Sequence, residues 1–411
     1  MPSAFGWVDF VEEDRRKMLD VIHLFRERNT RDELGIGTIR DAFSDYLFPG
    51  TTSVQTRVRY MLFVPWIYER LEWKRVPSAQ IAQKARNAET YLISSLLKTE
   101  SAEGVIGSEA GKGLKRLPSN IYWSGLKAWG ILFFDGSQEE YHRSLDKFYA
   151  LQSPRSRYAH EIDEEYHDTR IRPNWHPGLP HPPKGFPDNA TLTLRKEDAA
   201  YLKERVLTKH GDSLLSELLR RGDTCKTDFP WEHPIVSSLS GNLRDNLEQV
   251  RNFSEVMHGA AILYNLLLSR EIKKEEWVNR YEGMISKWKE KIDSRKADLD
   301  AWYKKIDEFW RSPALSETLI PIPTKHFVDS WISFTLSSPG IHKLSDDPQV
   351  ATTLMEREVA LKRNRARLAN HRPRELWQGQ SGIHQLEYRW SVASGFVDDI
   401  VKGLHHGKAA A

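Results

Sequence analysis

Asp41 and Asp45 lie four residues apart in LGIGTIRDAFSDYLFPG, a spacing that puts two carboxylates on one face of a helix. Such a pair can bind a cation, or keep one member ionised while the other supports it. The competing role is structural: Asp41 caps its helix, and Asp45 pairs with Arg40, Arg57 or Arg59. Gln55, Arg57 and Arg59 come after the Phe48-Pro49-Gly50 corner, where Gln55 offers a polar pocket group and the arginines offer phosphate or base contacts. Trp66, Tyr122 and Trp123 also lie near arginines. Each is a core residue by ordinary preference, and stacks on an extruded base only if an open basic cleft receives it. The strongest positive run is Lys362 to Arg374, KRNRARLANHRPR, where Arg363, Arg365, Arg367, Arg372 and Arg374 accompany Lys362 with no intervening acid. Arginine suits bidentate phosphate contact. A solvated helix end continuing from Glu356 and Glu358 is the alternative.

The elements that must hold these residues are helical, with a mainly α, multi-helical fold as the expectation. An amphipathic helix carries Val11, Leu19, Ile22 and Phe25; a second carries Ile39, Ala42, Phe43 and Leu47 and stops at Pro49-Gly50. A third begins near Ser53 and meets Pro65, which should kink it. Another covers Ser78 to Leu97, and Pro118-Ser119-Asn120 starts the next, which ends at Gly130. Helix, turn, aromatic helix and the strand-like Ile131–Phe134 run are winged-helix-like, although a plain helical core gives the same string. Residues 1–150 thus read as an N-terminal helical domain. Residues 151–195 form a proline-rich crossing loop, packed rather than disordered because Trp175 and Phe186 anchor it. Residues 196–411 read as a C-terminal helical bundle, with long helices over Leu243–Glu271 and Lys274–Trp310.

Composition removes several classes of function. The 411 residues suffice for two or three cores, and no apolar run is long enough to span a membrane, so a cytoplasmic protein is expected. A single cysteine, Cys225, excludes an intrachain disulfide and any cysteine-rich zinc module. His167, His176 and His181 near Asp163, Glu164 and Asp168 do not match a metal-ligand spacing, and His258 in an apolar helix reads as a hydrogen-bonded core residue. No phosphate loop, dinucleotide fingerprint or nucleophile elbow occurs, so neither a metal nor a cofactor is expected. Lysine and arginine number 60 against 57 acids, a net +3, so nucleic-acid binding must rest on local clustering.

Five strings, LGIGTIRDAFSDYLFPG, QTRVRYMLFVPWIY, PSNIYWSGLKAWGI, GFPDNATLTLRKEDAAYL and VMHGAAILYNLLL, resemble a bacterial family of unassigned function found in anti-phage defence loci. The chain is also similar to the Brig anti-phage DNA glycosylases. That resemblance implies excision of a glucosylated cytosine derivative from phage DNA, with other defence-locus proteins as further partners. Breaking a base–sugar bond builds positive charge on the sugar and negative charge on the base. Asp41 or Asp45 would serve the sugar, Arg57 or Arg59 a phosphate or the base, and Tyr122 or Trp123 the flipped nucleotide. The rival expectation is a noncatalytic DNA-binding subunit that recruits a helicase or nuclease.

Overall fold

Periodic burial of apolar side chains organises most of the backbone in a computed structural model of the chain, which describes residues 32–108, 114–152, 173–337 and 340–405. Among these residues the fold is mainly α, with sixteen α-helices and no strand. In chain order they are α1 (Gly37–Leu47), α2 (Tyr60–Trp73), α3 (Ser78–Thr99), α4 (Pro118–Ala128), α5 (Gln138–Leu151), α6 (Lys196–Lys209), α7 (Leu214–Arg221) and α8 (Gly241–Ile272). Next come α9 (Glu275–Ser294), α10 (Lys296–Lys304), α11 (Ile306–Trp310), α12 (Pro313–Ser316), α13 (Ile322–Leu336), α14 (Pro348–Lys362), α15 (His371–Glu375) and α16 (Trp390–His405). The expected helix carrying Val11 to Phe25 lies outside the described residues.

Two compact units result: Met1–Phe43 with Asp245–Leu386, and Ser44–Arg244 with Glu387–Ala411. Both draw on the expected 1–150 domain and both draw on 196–411, because the chain changes unit within α1 and within α8.

The first unit is organised by α8. Phe253, Val256, Met257, Ala260, Ile262, Leu263, Tyr264 and Leu266 are all buried, so the central turns of the helix are enclosed on every side rather than along one stripe. Gly259 allows Trp288 of α9 to lie against it; a Cβ there would overlap the indole. The single long helix expected over Lys274–Trp310 is instead three, α9 to α11. Arg295, at the first break, has left helical geometry and pairs with the buried Glu255, while its Nη2 donates to Asn252 at 2.9 Å.

In the second unit Trp390, Ala393, Phe396, Val397, Ile400 and Val401 of α16 are buried at helical spacing, and the helix packs on α6 and α7. Each large side chain removed from water stabilises by roughly 1.5–3 kcal/mol. The helix expected from Ser53 begins seven residues later, at Tyr60. The intervening amides have other acceptors: Thr56 and Arg57 N–H both donate to the Tyr122 hydroxyl, and Val58 N–H to Asp399. Pro65 sits inside α2 without ending it. The wing strand expected at Ile131–Phe134 does not form. Leu132 makes one isolated bridge, to Trp175, and the Asn174 and Ile131 carbonyls accept the flanking amides. Of the proline-rich segment, 173–195 is described: Trp175 is buried, and Phe186 stacks on Phe63 of α2 at 5.7 Å.

Candidate nucleic-acid interface

The basic run is not one helix face: Lys362 closes α14, Arg363–Arg365 form a single 3-10 turn, and His371–Arg374 lie in the short α15. Arg363 takes a positive φ of 51°, a strained conformation for a side chain of its size. The wholly buried Glu358 organises the chain beyond it: one carboxylate oxygen accepts the Arg367 N–H at 3.0 Å, and the other accepts the Leu368 N–H at 2.8 Å. The Tyr264 hydroxyl donates to the same carboxylate at 2.6 Å. Burial, then the charge of Glu358, pushes that phenol well up, so it remains a donor. Arg374 reaches back to the Arg367 and Leu368 carbonyls at 2.9 and 2.6 Å and pairs with Glu271. Arg367 donates to Glu33 at 3.0 Å and to Ser381 at 2.8 Å. Two of the five arginines expected to hold DNA, Arg367 and Arg374, are therefore occupied in shaping the loop.

Arg363, Arg365 and Arg372 remain exposed, with no ion pair among the described residues. Beside them a pocket of about 540 Å³ is lined by Lys362, Asn364, Arg365, Arg367, Asn370, His371, Arg372, Pro373 and Leu376. That lining contains cations, amides and an imidazole, but no carboxylate. Leu376, 77% exposed, adds an apolar edge. His371 Nδ1 lies 3.5 Å from Glu375. Lys362 is buried and in contact with Glu33. The arrangement can hold a polyanion by its phosphates and present amide donors and acceptors to the group between them.

The other expected site residues fall in different places. Asp41, in the first unit, is half-exposed and pairs with its neighbour Arg40 at 3.0 Å. Asp45, in the second, is exposed and pairs with Arg389 rather than with Arg40, Arg57 or Arg59. Neither lines the pocket. Gln55 is buried: its carbonyl accepts from the Thr52 N–H at 2.9 Å and its amide donates to the Gly50 carbonyl, so it staples the corner instead of lining a polar pocket. Arg57 is bidentate to Asp399, with Nε at 2.9 Å and Nη2 at 2.9 Å. Arg59 is buried against Asp198 at 2.6 Å and lies 5.4 Å over the Trp66 ring. Burial lowers its affinity for the proton and Asp198 restores part of it.

The three aromatics expected to stack on a base are core residues. Trp66 is 2% exposed and donates to the Pro180 carbonyl, Tyr122 is 0% exposed, and Trp123 is 7% exposed among Tyr68, Tyr141 and Trp175. Tyr122 accepts from two backbone amides and donates to the Arg57 carbonyl at 2.8 Å. No extruded base reaches these faces in this fold.

Sequence reasoning misses other groups. Glu69 and Glu72 share a turn of α2; Glu69 is exposed at its surface, though the protein packed around it and then Glu72 push its carboxyl up, and Glu72 accepts from Asn174 at 3.1 Å, Trp175 at 2.9 Å and Tyr141. Nothing in the string ERLEW separates them from solvated glutamates. Asn364, Asn370 and His371 are overshadowed in the sequence by the arginines around them. His258 donates to the Ile383 carbonyl at 3.0 Å as a core histidine. His167 lies outside the described residues, among which no group of three or more His, Cys, Asp or Glu is placed to hold a metal. No described helix is long and apolar enough to cross a membrane.

The sequence profile of a family of unknown function, DUF6361, matches residues 2–403. No match was found among curated proteins or among solved structures.

Proposed function

We propose that this chain, which belongs to the DUF6361 family of unknown function, binds DNA through the loop Lys362–Arg374, in the setting of bacterial anti-phage defence that the sequence resemblance implies. One observation carries the reading: Arg363, Arg365 and Arg372 are exposed and unpaired among the described residues, on a loop whose backbone is fixed by Glu358 and Arg374. A solvated helix end would not need a buried carboxylate to shape it. A backbone already held in place leaves mainly the side chains to be ordered on meeting phosphate. Binding should be salt-dependent, and replacing Arg363, Arg365 and Arg372 by Gln should lower the slope of log K against log salt by roughly 0.9 for every phosphate that is no longer neutralised. Fluorescence anisotropy with a short duplex from low to moderate salt measures it. A slope unchanged in the triple variant removes the loop from the interface.

The glycosylase that the resemblance implies is a second reading, favoured by the pocket itself. Its volume of about 540 Å³ falls in the range of small-ligand sites and would admit a nucleoside with a sugar on its base. Its amide and guanidinium donors match hydroxyls and the negative charge of a departing base. Asp41 and Asp45 do not line it, so in this reading the cations serve the departing base and no carboxylate of the pocket lining serves the sugar. Incubating the protein with glucosylated and plain duplex and assaying free base and alkali-labile sites separates the readings. Binding without base release leaves the noncatalytic DNA-binding subunit.

A further inference from the structure

The turn that carries the exposed arginines divides the surface around it. Concavities of about 350 and 540 Å³ lie there, and Lys362, Asn364 and Arg365 line both. Arg363 lines the smaller one only, whereas Arg372, Pro373 and Leu376 line the larger one only. Lys362 is buried, so Asn364 and Arg365 form the exposed wall that the two concavities share. The backbone of that wall is fixed. The buried Ala366 donates its N–H to the Arg363 carbonyl at 3.0 Å, and its own carbonyl accepts from Asn370 Nδ2 at 3.1 Å. The side-chain amide of Asn364 has no partner among the described residues, and no carboxylate lines either concavity.

We propose that this face binds single-stranded DNA, with two successive nucleotides seated on either side of the Asn364–Arg365 wall. The proposal rests on the DNA-binding reading above and names the form of DNA. B-form duplex turns its phosphates outwards and keeps its bases stacked inside, so it meets the tips of Arg363, Arg365 and Arg372 and fills neither recess. A single strand has bases free to turn into them. Arg365, on the shared wall, holds the phosphate between the two nucleotides. One base enters the larger recess, where Pro373 and Leu376 give its face an apolar contact and Asn364 offers its edge a donor and an acceptor. The other enters the smaller recess, where the Arg363 guanidinium stacks on it. None of these contacts is exclusive to one base, so sequence preference is slight.

The test compares, by fluorescence anisotropy on the full chain, a short strand that cannot pair with itself and the duplex formed from it. A surface that reads phosphates alone prefers the duplex, which carries the higher charge density. The seated strand is instead expected to bind roughly tenfold more tightly than the duplex at moderate salt. Leu376→Ser alters a side chain that is 77% exposed and no part of the core. It should narrow the preference for the strand several-fold while the slope of log K against log salt stays as it was, because an apolar contact is lost and no charge is. Equal or tighter binding of the duplex overturns this proposal and leaves the DNA reading standing. A strand preference that Leu376→Ser does not narrow overturns the seat of the base. Binding of neither form overturns the DNA reading and this one with it.

Discussion

Tyr122 supplies the Thr56–Arg57 backbone with the acceptor that a helix would otherwise provide, at 2.9 and 3.2 Å, and its own proton goes to the Arg57 carbonyl. Tyr122→Phe keeps the ring in its place against Tyr60 and Phe396 but strands those amides. Losing these partly buried hydrogen bonds costs about 0.5–1.5 kcal/mol, so the stability read from urea unfolding should fall by that amount while DNA affinity per folded molecule stays the same. An unaltered midpoint would show that the hydroxyl carries no such burden, and a specific loss of DNA affinity would restore it to the interface. The same residue shows why the candidate site is only partly legible in the sequence. Residue types can be read there, but partners cannot: Arg57 meets Asp399, 342 positions away, and Arg59 meets Asp198, 139 away. A carboxylate that distant gives no local signal, so arginines already occupied look free. Lys362 to Arg374 stands out because like charges are adjacent, and adjacency is what a sequence displays.

Elements are more legible than sites, for a physical reason. Pro118 sets the start of α4 because a first-turn residue needs no N–H donor, and the apolar spacing of α16 states which face is buried. Failures come where a tertiary acceptor takes the backbone's hydrogen bonds, as before α2, or where a buried ion pair draws a residue out of helical geometry, as at Arg295. The loop after α14 belongs to the same class, since Glu358 and Tyr264, 94 residues apart, jointly define it. Packing between α8 and α9 offers a test at this scale. Trp288 is fixed by donating to the Glu255 carbonyl at 2.8 Å, so it cannot retreat freely when Gly259 gains a methyl group that overlaps its ring. Overpacking of this kind costs about 1–3 kcal/mol or more, which outweighs the gain of roughly 1 kcal/mol in helix propensity from Gly to Ala. Gly259→Ala should therefore lower the unfolding temperature. A rise would mean that α9 shifts with little resistance.

At the scale of the molecule, a net charge of +3 from 60 basic and 57 acidic residues leaves no general attraction for polyanions, so the DNA binding proposed above rests on the local cluster Lys362–Arg374. Acidification tests how such a balanced molecule is held together. His258, inside α8, is pushed down from 6.5 to about 4 by burial, against the hydrogen bond to Ile383. The unfolded chain therefore binds a proton at a pH where the folded chain does not. Its contribution to stability is intact above about 6.5, falls as pH drops towards 4, and levels off below that. From pH 7 to pH 5 the loss from this group is about 2 kcal/mol. Glu89, wholly buried in the second unit and accepting from Ser119, is raised by burial to about 7. Its sign is opposite: it favours folding below the ordinary carboxylate value and loses that advantage as pH rises through 7. Acid thus pulls on α8 and α3 in opposite directions. Hydrogen exchange at pH 7 and pH 5, corrected for intrinsic rates, should show α8 losing protection more in the unaltered protein than in His258→Gln. In Glu89→Gln, α3 should lose the relative protection that acid confers on it. If His258→Gln responds to acid as the unaltered protein does, protonation of the core histidine is not what loosens α8.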